Sequence, residues 1–294
     1  MFDTHTITIT HTHTHTQNGS RHRRKAPFNK MINDTHTLLA PSASKLLDLS
    51  IMSHGPEKKG DKIATFDDVC AIETPHATPS WRPVAHGRLI ETLENAARAH
   101  GANVVQSAHL LGRDGARYFG LFQVNIPSAA GDVASVLGLR NSHDKAFRAG
   151  VMAGDAPFVC SNLCFHNEIV LGRKHTAGMS LAVMETLMLK AIERLIEARG
   201  LIDARNERLK NTRLNDARAH DIIIQAARAG ACAPSHVAKV ANQWHTPEHA
   251  EFGGAKTAWR LQNAFTNVWR GTPQHTPHRS AALTQVMNAN LPCV

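Results

Sequence analysis

The sequence VVQSAHLLGRDGARYFGLFQVNI, residues 104–126, has the pattern of a β-hairpin, from which the fold class follows. It contains two apolar runs, 104–111 and 116–126, on either side of the tetrapeptide GRDG. The Asp114-Gly115 pair suits the positive φ angles that a tight hairpin turn requires. The sequence therefore predicts two antiparallel strands joined by a short turn.

Helical and extended patterns surround this hairpin. Leu89, Ile90 and Leu93 recur at helical spacing ahead of Gly101, which predicts a helix over about 84–100. From Met179 a broad apolar face predicts a second helix, to about Arg199. Further strands are predicted at 133–139, 151–153, 157–160 and 168–172, and further helices at 204–229, 234–244 and 255–270. The order favours an α+β fold, with a mainly antiparallel sheet preceded by one helix and followed by a helix-rich C-terminal third.

The first 62 residues differ from the rest of the chain. They open on alternating Thr and His, which offer little apolar surface to a core, so we predict a low-complexity, flexible or peripheral leader over 1–62. Its His11, His13 and His15 could chelate a metal opportunistically, although a leader without a ligand is the favoured interpretation. Residues 63–294 are predicted to form a single α+β domain, with its sheet at about 63–176, its helices at about 177–270 and a tail at 271–294.

The net charge and the hydropathy of the chain indicate which classes of partner to expect. The chain of 294 residues carries 33 basic and 24 acidic groups, a net charge of +9, which favours a polyanionic partner such as nucleic acid. The surplus is spread along the chain, so a mildly cationic surface without a dedicated ligand stays an alternative. No run of about 18 apolar residues and no signal-peptide core occurs, which leads us to expect a cytoplasmic protein without a membrane partner. Five irregularly spaced cysteines fit free thiols rather than a disulfide framework.

The densest polar string follows the predicted strand at 133–139. It provides a guanidinium, an amide, a hydroxyl, an imidazole, a carboxylate and an ammonium group. Arg140, Asn141, Ser142 and Lys145 are candidates for binding phosphate. His143 and Asp144 are candidates for a proton-transfer pair or for metal ligands. A solvated turn tied by side-chain hydrogen bonds explains the same residues equally well.

A second string, FVCSNLCFHNE at 158–168, places Cys160, Cys164 and His166 close together. The spacing is poor for a zinc site because no second ligand pair lies at a finger-like distance, so we predict no metal and no cofactor. Cys160 is a candidate nucleophile if His143 or His175 approaches it, and a buried structural cysteine otherwise.

A third string, RKHT at 173–176, ends the last predicted strand ahead of the long helix. Arg173, Lys174 and His175 at a helix N-terminus could bind an anion, and they could form one phosphate-binding strip with Arg140 and Lys145. Two solvated basic residues and a cap are the alternative. Tyr118, Phe119 and Phe122 are candidates for stacking on bases.

Several short motifs, taken together, resemble a known family. They are TPHATP at 74–79, GRDGARYFG at 112–120, GLRNSHDKAF at 138–147, FVCSNLCF at 158–165, RKHT at 173–176 and HAEFGGAKTAWRLQNAFTNV at 249–268. In this order they are similar to the phage/plasmid-like proteins that carry domain of unknown function 932, over about residues 70–270. The resemblance implies an origin in mobile genetic elements and a role in DNA transactions or host takeover.

Three functions follow as hypotheses. The first is a mobile-element protein that binds nucleic acid, DNA rather than RNA, in the cytoplasm of a bacterial host and assists single-strand handling or recombination. The second is an enzyme that acts on nucleotides or nucleic acid through His143 and Asp144. The third is an interaction protein that inhibits a host factor. The sequence does not decide whether the chain is an enzyme or whether it forms a homo-oligomer.

Overall fold

The structure is a computed structural model that describes residues 46–47, 62–126, 133–157, 164–270 and 275–291; at 157 and 166–168 it describes the backbone alone. The predictions for His11, His13, His15 and Cys160 lie outside the described residues, as does the side chain of His166.

An antiparallel sheet forms the first half of the described chain. Each strand pairs with the next along the chain, in the order β1 (Lys62–Ala64), β2 (Asn103–Gly112), β3 (Arg117–Asn125), β4 (Val133–Ser142), β5 (Ala149–Pro157) and β6 (Cys164–Arg173). The predicted hairpin is β2–β3, and Asp114 and Gly115 have φ angles of 54° and 86° in its turn. The runs predicted as two strands at 151–153 and 157–160 share one strand, β5, up to Pro157. β4 continues three residues beyond its predicted end.

Among the described residues, the α-helices lie between β1 and β2 or follow β6, whereas the sequence predicted one helix ahead of the whole sheet. They are α1 (Phe66–Cys70), α2 (His86–Ala99), α3 (Leu181–Asn211), α4 (Asp216–Arg228), α5 (Val237–His245), α6 (Ala258–Val268) and α7 (Thr276–Asn290), with 3₁₀ turns at Pro234–His236 and Ala250–Phe252. The helix predicted over 204–229 is divided, because Asn215 accepts a hydrogen bond from the Arg218 N–H and so caps a new helix. The segment 271–294, predicted as a tail after the helical part, contains a further helix, α7.

The α+β fold class is confirmed, and its apolar residues form separate cores on the two faces of the sheet and among the C-terminal helices. Helices α2 and α3 cover one face, where Phe122, Leu137 and Met188 are buried. Phe119 and Val136 lie in the core of the opposite face. Helices α4 to α7 enclose the third core around Trp244 and other apolar side chains.

Helix α3 packs against the sheet and also reaches the core of the C-terminal helices. Near its middle, Arg199 donates to the Ser135 hydroxyl over 2.9 Å, and Asn206 donates to the Asp155 carboxylate over 2.7 Å. Such bonds between buried groups fix the helix against β4 and β5. Its last turn places Leu209 in the C-terminal core.

Part of the predicted leader contacts the sheet. Leu47 is buried, its N–H donates to the Gln123 side chain, and its carbonyl accepts from Gln106. Lys62 already belongs to β1. At these positions the segment predicted to be a low-complexity, flexible or peripheral leader is joined to the sheet by backbone hydrogen bonds, which apolar content alone does not indicate. None of the described helices is long and apolar enough to cross a membrane.

Candidate functional site

The strand register brings two of the polar strings to one edge of the sheet. Arg140 pairs with Gly150 across β4–β5, and Gly150 pairs with Gly172 across β5–β6. Ala149 pairs with Arg173 in the same way. Residues 140–145 and 173–176 therefore lie at the same end of β4 and β6, the two strands on either side of β5, and the β2–β3 turn lies there too.

A third segment, which precedes α2, joins the two strings. The Arg82 N–H donates to the His175 carbonyl over 3.2 Å, and the His175 Nδ1–H donates back to the Arg82 carbonyl over 3.3 Å. The Val84 carbonyl accepts from the His143 Nε2–H over 3.0 Å. One short extended segment thus holds the imidazoles of both loops.

A buried imidazole stack lies beneath this edge. The Asn141 amide donates to the Val84 carbonyl over 2.7 Å and to His86 Nδ1 over 2.9 Å, and the opposite nitrogen of His86 donates to the Gly115 carbonyl over 3.0 Å. The rings of His86 and His143 stack with their centroids 3.9 Å apart. Because each ring donates to a carbonyl from only one nitrogen, the arrangement fits two neutral imidazoles.

Burial controls the protonation of this cluster. Burial, followed by the neighbouring His143 ring, lowers the pKa of His86 to about 3. Burial likewise lowers the pKa of His143 and of His175. At neutral pH the three rings are uncharged, so His175 does not supply the positive charge that a phosphate would need.

The polar string at the end of β4 is divided between the two sides of the sheet. Asn141 and Ser142 are the last two residues of the strand, so their side chains lie on opposite faces, and both are fully buried. The Asp144 carboxylate accepts from the Ser142 hydroxyl over 2.7 Å and from Arg117 Nε over 2.6 Å. This carboxylate makes no hydrogen bond to His143, whose Nδ1 is buried without a hydrogen-bond partner among the described residues, and it acts on that ring only through its charge, which raises the pKa of His143 against the larger effect of burial.

The remaining candidates for chemistry have little support. Cys164 is buried, and its burial raises the pKa of the thiol to about 11, which keeps the thiol protonated. Among the described residues, no three His, Cys, Asp or Glu side chains lie close enough to hold a metal ion.

Cationic side chains concentrate at this same edge. Ten basic residues occur between 81 and 175, and eight of them lie at this end of the sheet. Of the acidic residues in the same range, Asp114 and Asp144 lie there. Six of the basic side chains are exposed, and we call these six the basic edge: Arg82, Arg113, Lys145, Arg148, Arg173 and Lys174. Within the described part of the chain, no carboxylate forms an ion pair with any of the six.

Two aromatic rings accompany these cations. Lys145 Nζ lies 4.8 Å from the centroid of the half-buried Trp81 ring, and the Arg140 guanidinium lies 5.7 Å from that of Phe147. The predicted stacking residues Tyr118, Phe119 and Phe122 are instead buried in the cores, so that prediction was wrong. The segment containing Trp81 had a signal in the sequence, an aromatic and an arginine between prolines 79 and 83.

A sequence model of the family described as "Domain of unknown function (DUF932)" matches residues 76–289. The match covers well over half of the chain and includes the whole basic edge. No curated protein and no solved structure matches the chain. The protein therefore belongs to the DUF932 family.

Proposed function

We propose that the protein binds nucleic acid through the basic edge. The observation that carries the proposal is the set of six exposed cations at one end of the sheet, none paired with a described carboxylate. Unpaired cations gathered on one surface attract a polyanion and release its counterions on binding. The resemblance to phage and plasmid proteins favours DNA over RNA and a place in the bacterial cytoplasm.

One of the two acidic side chains at this edge is already neutralised in part. Asp144 is held by Arg117 and Ser142, which reduces its repulsion toward an incoming phosphate. The geometry gives no comparable support to the enzyme hypothesis. The Nδ1 of His143 is buried, its Nε2 donates to a backbone carbonyl, and Asp144 serves a different partner.

Salt-dependent binding tests the proposal. Fluorescence anisotropy with labelled DNA strands would be recorded on the full chain over a range of salt concentrations. We expect the affinity to fall linearly on a double-logarithmic plot, and the combined substitution Arg173→Ala with Lys174→Ala to reduce the magnitude of the slope by about 1.4 to 1.8.

A matched control separates this edge from general surface charge. Arg228 and Lys239 are exposed cations of the helical region. Replacing both with Ala removes the same charge, and we expect the slope to stay unchanged. The proposal fails if no nucleic acid binds at about 50 mM salt, or if the two double variants lose affinity equally.

A further inference from the structure

An open cavity lies next to the basic edge, between the first turns of α2 and α3. Its volume is about 670 Å³. Arg82, which belongs to the basic edge, is one of its walls, and Ser180, the N-cap residue of α3, is another. The cavity and the basic edge therefore form one continuous surface.

The residues that line the cavity have two kinds of chemistry. Cationic and hydroxyl groups come from Arg82, Arg88, Thr74, Thr78 and Ser180. Apolar surface comes from Ala77, Pro83, Val84, Ala85, Met179 and Leu181. None of the described residues that line it carries a carboxylate, although the exposed Arg88 also pairs with Glu91 on its own helix over 3.0 Å. Such a lining suits a ligand with a flat, largely apolar body and a negative charge.

The volume agrees with a ligand of that kind. Pockets for small molecules and cofactors usually measure about 300 to 1,000 Å³ and combine apolar walls with a few polar groups. A single nucleotide has a flat base for the apolar wall, hydroxyl groups on its sugar for the threonines and serine, and a phosphate for the arginines. Arg82 is shared between the cavity and the basic edge, so the backbone of a bound strand could pass directly from one to the other.

We propose that the ligand of the basic edge is a single-stranded nucleic acid, one nucleotide of which is splayed into this cavity. The proposal rests on the proposed function, because it needs the neighbouring phosphates to lie on the basic edge. A base in a duplex is stacked and paired, and it reaches such a cavity only at the cost of being unpaired and extruded. A single strand exposes its bases without that cost.

Filling the cavity tests the proposal without changing any charge. Ala77 is an exposed lining residue, and Ala77→Trp would occupy the space with an indole. The control is Ala217→Trp, at an exposed position of α4. Anisotropy would be measured for a labelled oligothymidine strand and for a duplex of the same length. We expect Ala77→Trp to weaken single-strand binding about tenfold, the size of one lost base contact, and Ala217→Trp to have no effect.

Competition with the unaltered protein gives a second readout. Thymidine monophosphate should displace the labelled strand at concentrations where inorganic phosphate, at equal ionic strength, does not. Salt-dependent binding that is equal for strand and duplex and insensitive to Ala77→Trp would overturn this inference while leaving the proposed function intact. Equal displacement by thymidine monophosphate and phosphate would also overturn it. Absence of binding to every nucleic acid would instead remove the proposed function itself.

Discussion

The imidazoles of His86 and His143 stack face to face, with an angle of 10° between their planes. His86 begins α2 and His143 follows β4, so the stack joins the helical layer to the sheet edge that carries the exposed cations. Two rings at this distance cannot both be charged without strong repulsion in a buried place.

The stack makes stability dependent on pH. The pKa of His86 is about 3 in the folded protein, below the ordinary value near 6.5, so the unfolded chain binds more protons than the folded one between these limits. Stability contributed by the neutral ring is complete above pH 6.5 and declines as the pH falls. We expect the loss in unfolding free energy from His86 alone to total about 2 kcal/mol between pH 7 and 5 and to approach about 1.4 kcal/mol per pH unit at the lower end of this range, measured by urea unfolding.

A substitution isolates this contribution. His86→Gln keeps a neutral side chain that can accept from Asn141 and donate to the Gly115 carbonyl, but it cannot titrate. The variant should be less stable than the natural protein at pH 7 and show a shallower decline with pH. An unchanged slope would contradict a neutral His86.

Asn141 should be a structural residue rather than a ligand-binding one. Asn141→Leu removes the donor to His86 Nδ1 and one of the two donors to the Val84 carbonyl, both in buried surroundings. We expect a loss of about 1 to 3 kcal/mol in unfolding free energy, measured by urea denaturation. The exposed Asn95 of α2 is the control, and Asn95→Ala should change it by less than about 0.5 kcal/mol.

Asp144 distinguishes a binding surface from an active site. Asp144→Asn removes a negative charge from the basic edge, and we expect it to tighten DNA binding about threefold, as suits one exposed charge. The exposed Asp221 of α4 is the control, and Asp221→Asn should leave the affinity unchanged. Weaker binding by Asp144→Asn would show that the carboxylate contributes to the site directly.

Gly154 lies where β5 and β6 approach each other closely. It lies where the register between β5 and β6 shifts, and a Cβ atom there would overlap the Cys164 carbonyl. Gly154→Ala should therefore destabilise the protein by about 1 to 3 kcal/mol in thermal or urea unfolding. Gly200 has open space around it in α3, so Gly200→Ala should stabilise the protein by about 0.5 to 1 kcal/mol.

Local sequence patterns were sufficient to predict an element where the residue types themselves determine the backbone conformation. The Asp114-Gly115 turn and helix α2 follow from positive φ angles and from apolar spacing, and the structure has both. Helix α7 could not be predicted in this way. Its buried side includes polar residues such as Thr276 and Ser280, and the Ser280 hydroxyl accepts from the Phe165 N–H of β6. The buried side of α7 is therefore determined by contact with β6, which lies more than a hundred residues earlier in the chain.

The residues of the candidate site likewise divide into those that the local sequence indicates and those that depend on partners distant in the chain. The sequence indicates the cationic residues 145, 173 and 174, because charges of this kind seldom lie in a core. It could not show that Asn141 is buried, since this depends on three further residues of β4 pairing with β3. The contribution of Arg82 depends on its backbone bonds to His175, which lies 93 positions later in the chain.

Helix α3 gives the protein a mechanical property. Its 31 residues form a rod of about 46 Å that begins at the cavity beside Ser180 and ends in the C-terminal core. The buried bonds from Arg199 to Ser135 and from Asn206 to Asp155 oppose any tilt of this rod against the sheet. The surface where we expect the strand to bind and the C-terminal core are thus held at a constant separation by one rigid strut.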